Sequence, residues 1–146
     1  MSEKSAGLPL GRVMMSTAAA GLAVGVFAAD FNKTHIYNPE WTPHAKIHTG
    51  QTMSMGLGLA LATLYGLWAR PRASRIALDG AAVTGSIYHL GQLTAGLYPG
   101  TATADPPRKD NWSQLLTTVP VLVLTGVGYL LERRRMTNAD GGGRRA

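Results

Sequence analysis

From Trp112 to Leu131 the chain reads WSQLLTTVPVLVLTGVGYLL, with no Asp, Glu, Lys, Arg or His in the run. About 20 such residues suffice to cross a hydrocarbon core of about 30 Å as one helix. Two further runs are equally free of charge, Val13 to Ala29 and Thr49 to Ala69. A fourth apolar stretch, about 76–98, carries Asp79, His89 and Gln92. Charge is concentrated in the connections, so mean hydropathy over the 146 residues is only +0.02. The pattern predicts an all-α fold, a four-transmembrane-helix bundle with spans about 13–29, 43–69, 76–98 and 112–131. It argues against a soluble domain and against a disordered chain. Pro120 is expected to kink the last span, which neighbouring helices tolerate.

The charge balance is +6, from 14 Lys and Arg against 8 Asp and Glu. In a soluble protein that excess would suggest nucleic acid; its placement points elsewhere. Lys4, Arg12, Arg70, Arg72, Arg75, Arg133, Arg134, Arg135, Arg144 and Arg145 all fall on one side of the four spans. The positive-inside rule therefore predicts cytoplasmic N and C termini in a plasma (inner) membrane, and no nucleic-acid partner. Tyr37, Trp41, Tyr98 and Trp112 mark the outer boundary, Trp68 and Tyr129 the inner one. A competing reading makes the first span a signal peptide cleaved before Asp30. Residues 1–135 then form a single membrane domain, and the Gly- and Arg-rich tail 136–146 is expected to be disordered. Cysteine is absent, which excludes disulfides, thiolate metal sites and cysteine nucleophiles. Sequons at Asn32 and Asn111 fall in outer connections.

The segment Asn38-Pro39-Glu40-Trp41-Thr42-Pro43-His44-Ala45-Lys46-Ile47-His48-Thr49-Gly50-Gln51 carries the most chemistry. Thr42 and Pro43 suit an N-cap and first helical residue. His44 and His48 are then one turn apart on one face, which Gln51, Thr52 and Met55 continue. Two such imidazoles can hold one metal; alternatively, one ligates haem while the other orients a propionate or substrate. The structural alternative is a pair of interfacial histidines bonded to backbone and water. On the third span, His89 and Gln92 share a face while Tyr88 is rotated by about 100°. Polar groups at such depth either serve a site or bond between helices. Asp79 is expected to pair with Arg75 one turn earlier. Gly21/Gly25, Gly56/Ala60 and Gly58/Ala62 offer small faces for close helix packing or oligomerisation. Asp30, Lys33 and His35 read as a solvated outer cap.

The run Trp41…Ala45…His48-Thr49-Gly50 leads into a Met- and Gly-rich span. A short basic loop, then Leu78-Asp79-Gly80, Gly85 and Tyr88, follow it. In this order the chain resembles the small styrene oxide isomerases. The resemblance implies a four-helix membrane protein that forms a homo-oligomer around haem b, opens epoxides and shifts hydride to give aldehydes. It implies that His48 is the axial haem and metal ligand. Ser54 falls where that family has an Asn, Tyr88 one residue from the family's active-site Tyr, and His44 and His89 are additions.

The expected function is accordingly a haem-assisted isomerase of a small apolar epoxide or related oxygenated substrate, embedded in the lipid bilayer. Tyr88 and His89 would position or stabilise the developing positive centre, with Gln92 and Ser54 supplying orienting hydrogen bonds. His44 would support His48 at the cofactor. The rivals are a non-catalytic membrane binding or assembly protein, and a small transporter subunit lined by Asp79, His89 and Gln92.

Overall fold

The computed structural model describes residues 8–69, 74–104 and 113–142. The basic loop at 70–73, the sequon at Asn111 and the aromatic Trp112 lie outside them. The described residues form four helices and no strand: α1 Leu10–Asp30, α2 Pro43–Trp68, α3 Arg75–Ala95 and α4 Ser113–Gly142. Each helix packs on its neighbours in chain order, and α4 closes the ring against α1.

Local sequence explains where the helices begin and end. Thr42 is an extended N-cap whose hydroxyl accepts from Ala45 N at 3.2 Å, with Pro43 first in the helix. Ser74 caps α3 in the same way through Ala77 N. Asn32 closes α1 by donating its amide to the carbonyls of Ala28 and Ala29. Asn32 thus satisfies helix-end acceptors that would otherwise be orphaned.

Two features differ from the expectation. First, α3 stops at Ala95 and α4 does not stop at Leu131: it runs through Pro120 and on to Gly142. Met136, placed in a disordered tail by the sequence reading, is buried in a core cluster with Met15, Leu67, Leu78 and Ala81. That buried methionine anchors the extra turns. Second, among the described residues only Leu10–Asp30 and Gln114–Ala139 are long and apolar enough to cross a membrane, with mean hydropathies of 1.6 and 1.7. Helices α2 and α3 fall short because His44, Lys46, His48 and Gln51 crowd the start of one, and Arg75, Asp79, His89 and Gln92 punctuate the other.

The glycines used for packing are not those of the GxxxG. At Gly21 and Gly25 an added Cβ would meet nothing within 4 Å, and the same holds for Gly58. Gly56 is buried against Val26, beside buried Ala60, as the small face on α2 anticipated. The closest approach is between α1 and α4, where a Cβ on Gly11 would lie 2.4 Å from Gly128 O, and one on Gly128 2.7 Å from Gly11 O. Both obstacles are backbone, which cannot swing aside. Gly128→Ala is therefore expected to cost about 1–3 kcal/mol, the range for overpacked cores. Gly21→Ala meets open space within the chain and should not destabilise it, the gain in helix propensity being about 1 kcal/mol at most. Unfolding midpoints of the two variants in detergent test this, and equal midpoints would refute the close approach.

The cytoplasm-facing end in the sequence reading is held by charge. Glu132, 1% exposed, accepts from Arg12 Nε at 2.8 Å and from Arg135 at 2.7 and 3.0 Å. Arg12 also donates to Leu67 O and lies over the Trp68 ring, whose indole N–H donates to Ser16. One arginine thus ties α1, α2 and α4 together. Asp79, expected to pair with Arg75 one turn earlier, also makes a longer connection: its Oδ1 accepts from Tyr129 at 2.8 Å and from Arg133 at 2.9 Å, both on α4. Arg133 also donates to the Tyr129 hydroxyl.

Candidate functional site

A groove of about 500 Å³ runs between α2 and α3, lined by Thr52, Met55, Leu59, Ile87, Tyr88, Gly91, Gln92 and Ala95. Helical geometry makes it continuous. On α2, Thr52, Met55 and Leu59 follow at i, i+3 and i+7; on α3, Tyr88, Gln92 and Ala95 follow at i, i+4 and i+7. Its walls are aliphatic apart from the Thr52 hydroxyl, which donates back to His48 O, and the polar ends of Tyr88 and Gln92. The Tyr88 ring also packs against the cluster of Ala19, Leu22, Val26 and Ala60, which fixes it from the α1 side. Gln92 is fixed from the α4 side, since its Oε1 accepts from buried Thr118 at 2.8 Å. That bond leaves the amide N–H groups of Gln92 as its free donors.

His48 stands one turn beyond Thr52 on the same α2 stripe, at the outer end of the groove. The two histidines of the first turns are bonded to one another, His48 Nε2 to His44 Nε2 at 3.1 Å, with rings nearly perpendicular at 85°. His48 Nδ1 meets Gln51 Oε1 at 2.9 Å. An amide oxygen only accepts, so the neutral tautomer that satisfies both bonds has the His48 proton on Nδ1 and its Nε2 lone pair accepting from His44 Nε2–H. The chain of donors therefore runs His44 to His48 to Gln51, all on one exposed face of α2.

The remaining expected site residues lie elsewhere. His89 does not converge with His44 and His48. It is 6% exposed, faces the bundle interior one turn from Gly85, and is not among the groove residues. Neither of its ring nitrogens has a hydrogen-bond partner among the described residues. The face shared in the groove is that of Tyr88 and Gln92, four residues apart, rather than His89 and Gln92. Ser54 is exposed and also outside the groove, because six residues from His48 turn it to the far side of α2. The interior also holds a seam of hydroxyls: Thr63 bonds Thr84 at 2.9 Å, Thr63 and Thr125 face Gly85, and Thr118 is buried on α4. Sequence reasoning missed Leu59, Ile87, Gly91 and Ala95 as groove walls, since apolar residues in apolar spans carry no distinguishing signal. Gln51 as the partner of His48 was legible from its spacing.

A family model described as a family of unknown function (DUF6640) matches residues 14–145, and the chain belongs to that family. No curated protein and no solved structure matches it.

Proposed function

Since membership in that family brings no activity with it, we propose from the geometry that this is a multi-pass inner-membrane protein acting on a small apolar, oxygen-bearing molecule in the α2–α3 groove. The carrying observation is the groove itself: an aliphatic channel with two fixed polar groups, Tyr88 and Gln92, and a His44–His48–Gln51 chain at its end. Aliphatic walls select an apolar ligand body, and a few fixed donors select one oxygen on it. The exterior supports the membrane setting. Val24, Leu61, Leu116, Val123 and Leu130 are exposed while Thr63, Thr118, Thr125 and Glu132 are buried, the reverse of the usual soluble pattern. In this reading all four helices span, α2 and α3 tolerating polar residues because these face the groove, the interior or the boundary. The outward, open Gly21 and Gly25 suit contact with a second copy in a homo-oligomer.

The activity proposed is isomerisation of an epoxide or related substrate to a carbonyl compound, in line with the resemblance to the styrene oxide isomerases. One C–O bond breaks, a hydride moves to the neighbouring carbon, and a C=O forms; no atom or electron is gained or lost. His48 fits as a haem ligand in one respect: metal-binding imidazoles ordinarily donate their other N–H to a fixed acceptor, here Gln51. Its Nε2 becomes free for iron when His44 turns aside, a movement its exposure permits. Haem b bound there would supply a Lewis-acidic iron. Tyr88 would donate its hydroxyl proton to the substrate oxygen in a hydrogen bond, and the Gln92 amide would orient the same oxygen. His89 and Ser54, outside the groove, take no part in these steps.

Two measurements test this reading. Reporters fused after Arg135 and within 70–75 should read cytoplasmic, and one within 105–111 external; a cytoplasmic signal from the last overturns the four-span topology. Protein purified in detergent after expression with ample haem should show a Soret band. A spectrum without one removes the isomerase and leaves a non-catalytic ligand-binding protein.

A further inference from the structure

We infer that His44 and His48 form a chelating site for a divalent transition-metal ion such as Zn²⁺ or Ni²⁺, entering from the outer aqueous side. The site goes beyond the proposed isomerase and does not depend on haem binding. It rests on the spacing of two nitrogens. Zinc–imidazole bonds are about 2.0–2.1 Å long. Two such ligands at angles between 90° and the tetrahedral value stand about 2.8–3.4 Å apart. The Nε2 atoms of His44 and His48 are 3.1 Å apart, one helical turn from each other. Hydrogen bonding between them already draws the two ring edges to one point, so an ion placed there needs little rearrangement.

The protonation states can follow. His48 holds its proton on Nδ1 against Gln51 Oε1, which leaves its Nε2 lone pair directed at the shared point. His44 is exposed and carries its proton on the nitrogen facing His48; transfer to its own Nδ1 through solvent gives a second free lone pair with no change in charge. Gln51 then serves as the outer partner that fixes ring orientation and raises ligand basicity. Haem would need a different arrangement, with His44 turned aside from the Nε2 of His48 that it now meets. The small ion and the haem therefore compete for His48, and only the small ion uses His44. Imidazole donors favour Ni²⁺, Cu²⁺ and Zn²⁺ over Mn²⁺, whereas Mg²⁺ and Ca²⁺ demand oxygen ligands. Water completes the coordination sphere, so affinity falls below that of closed structural sites.

The test is isothermal titration of the purified full chain, free of any polyhistidine tag, with zinc chloride and separately with magnesium chloride. Wild type is expected to bind one Zn²⁺ per chain and no Mg²⁺. His44→Ala and His48→Ala should each weaken zinc binding more than about tenfold, and Gln51→Ala by about tenfold, the scale set by outer partners of metal ligands. Circular dichroism confirms that the helices persist in each variant. Zinc binding by the His44→Ala/His48→Ala double variant as tight as wild type overturns the site, as does its lack in wild type. The Soret band separates this outcome from the isomerase reading: His44→Ala should lose zinc and keep haem, whereas His48→Ala should lose both. Zinc binding in a wild-type protein without haem sustains the chelate and removes the enzyme; haem without zinc does the reverse.

Discussion

Glu132→Ala is expected to destabilise the bundle by about 3–5 kcal/mol, the range for breaking a buried ion pair. The carboxylate is 1% exposed and accepts from two guanidinium groups, and it joins helices that are 120 residues apart in the chain at that contact. Its removal leaves Arg12, whose side chain is 14% exposed, with a carbonyl from Leu67 and a tryptophan face but no counter-charge. It also leaves a void beside Gly11 and Gly128, where the backbones are too close for α1 to settle inward. Arg135→Ala should cost far less, about 1 kcal/mol or below, because that side chain is 46% exposed and its bond is screened by water. The Arg12→Ala/Glu132→Ala pair should be less damaging than the sum of its single variants, since each removes a charge the other leaves unpaired. Unfolding midpoints in detergent supply all four values. A Glu132→Ala protein as stable as wild type would falsify the view that the inner end is held by this cluster.

How much of this was legible in the chain depends on which physical signal each feature leaves. Helix number, the Thr42–Pro43 start and the approximate placing of the four helices follow from charge-free runs and capping chemistry, both local in sequence. The far end of α4 did not, because Arg133, Arg134 and Arg135 resemble a membrane boundary, whereas Glu132 and Met136 beside them are buried through contacts with α1, α2 and α3. Partner choice across helices was equally hidden. Asp79 has a sequence neighbour of opposite charge one turn away, but nothing local announces that its Oδ1 also accepts from Tyr129 and Arg133, 50 and 54 residues distant. Glycine motifs behaved in the same way: Gly21 and Gly25 form the recognisable pattern but face outward, while Gly11 and Gly128, in no pattern, make the tight crossing.

Helical period alone reaches only which side chains share a face. His44, His48 and Gln51 share a face because spacing requires it, whereas on α3 the expected pairing of His89 with Gln92 is replaced in the groove by Tyr88 with Gln92, four residues apart. What periodicity cannot supply is the direction of the whole face. His89 differs from Tyr88 by one position, about 100° of rotation, which turns it from the groove to the interior. There it lies one turn from Gly85, which Thr63 and Thr125 face, and in sequence a histidine looks the same whether it lines a site or fills a core.

His48→Ala is expected to abolish haem binding while leaving the helical bundle in place, with stability changed by no more than about 0.5 kcal/mol. The imidazole is exposed on α2, and both its hydrogen bonds are to residues of the same helix, so no contact between helices is lost. Packing rests instead on Met15, Leu22, Val26, Ala60 and the glycine crossings. Tyr88→Phe should retain the Soret band and lower turnover of an aryl or alkyl epoxide by about 10²- to 10³-fold, the usual cost of removing one hydrogen bond to a developing oxyanion. His89→Leu should spare both haem and turnover, and should be neutral or stabilising, because it replaces a buried imidazole whose nitrogens lack partners among the described residues with an apolar side chain. The three variants divide the histidine and tyrosine roles cleanly. Loss of turnover in His89→Leu with the fold intact would return His89 to the chemistry, through a substrate path inside the bundle rather than along the α2–α3 groove.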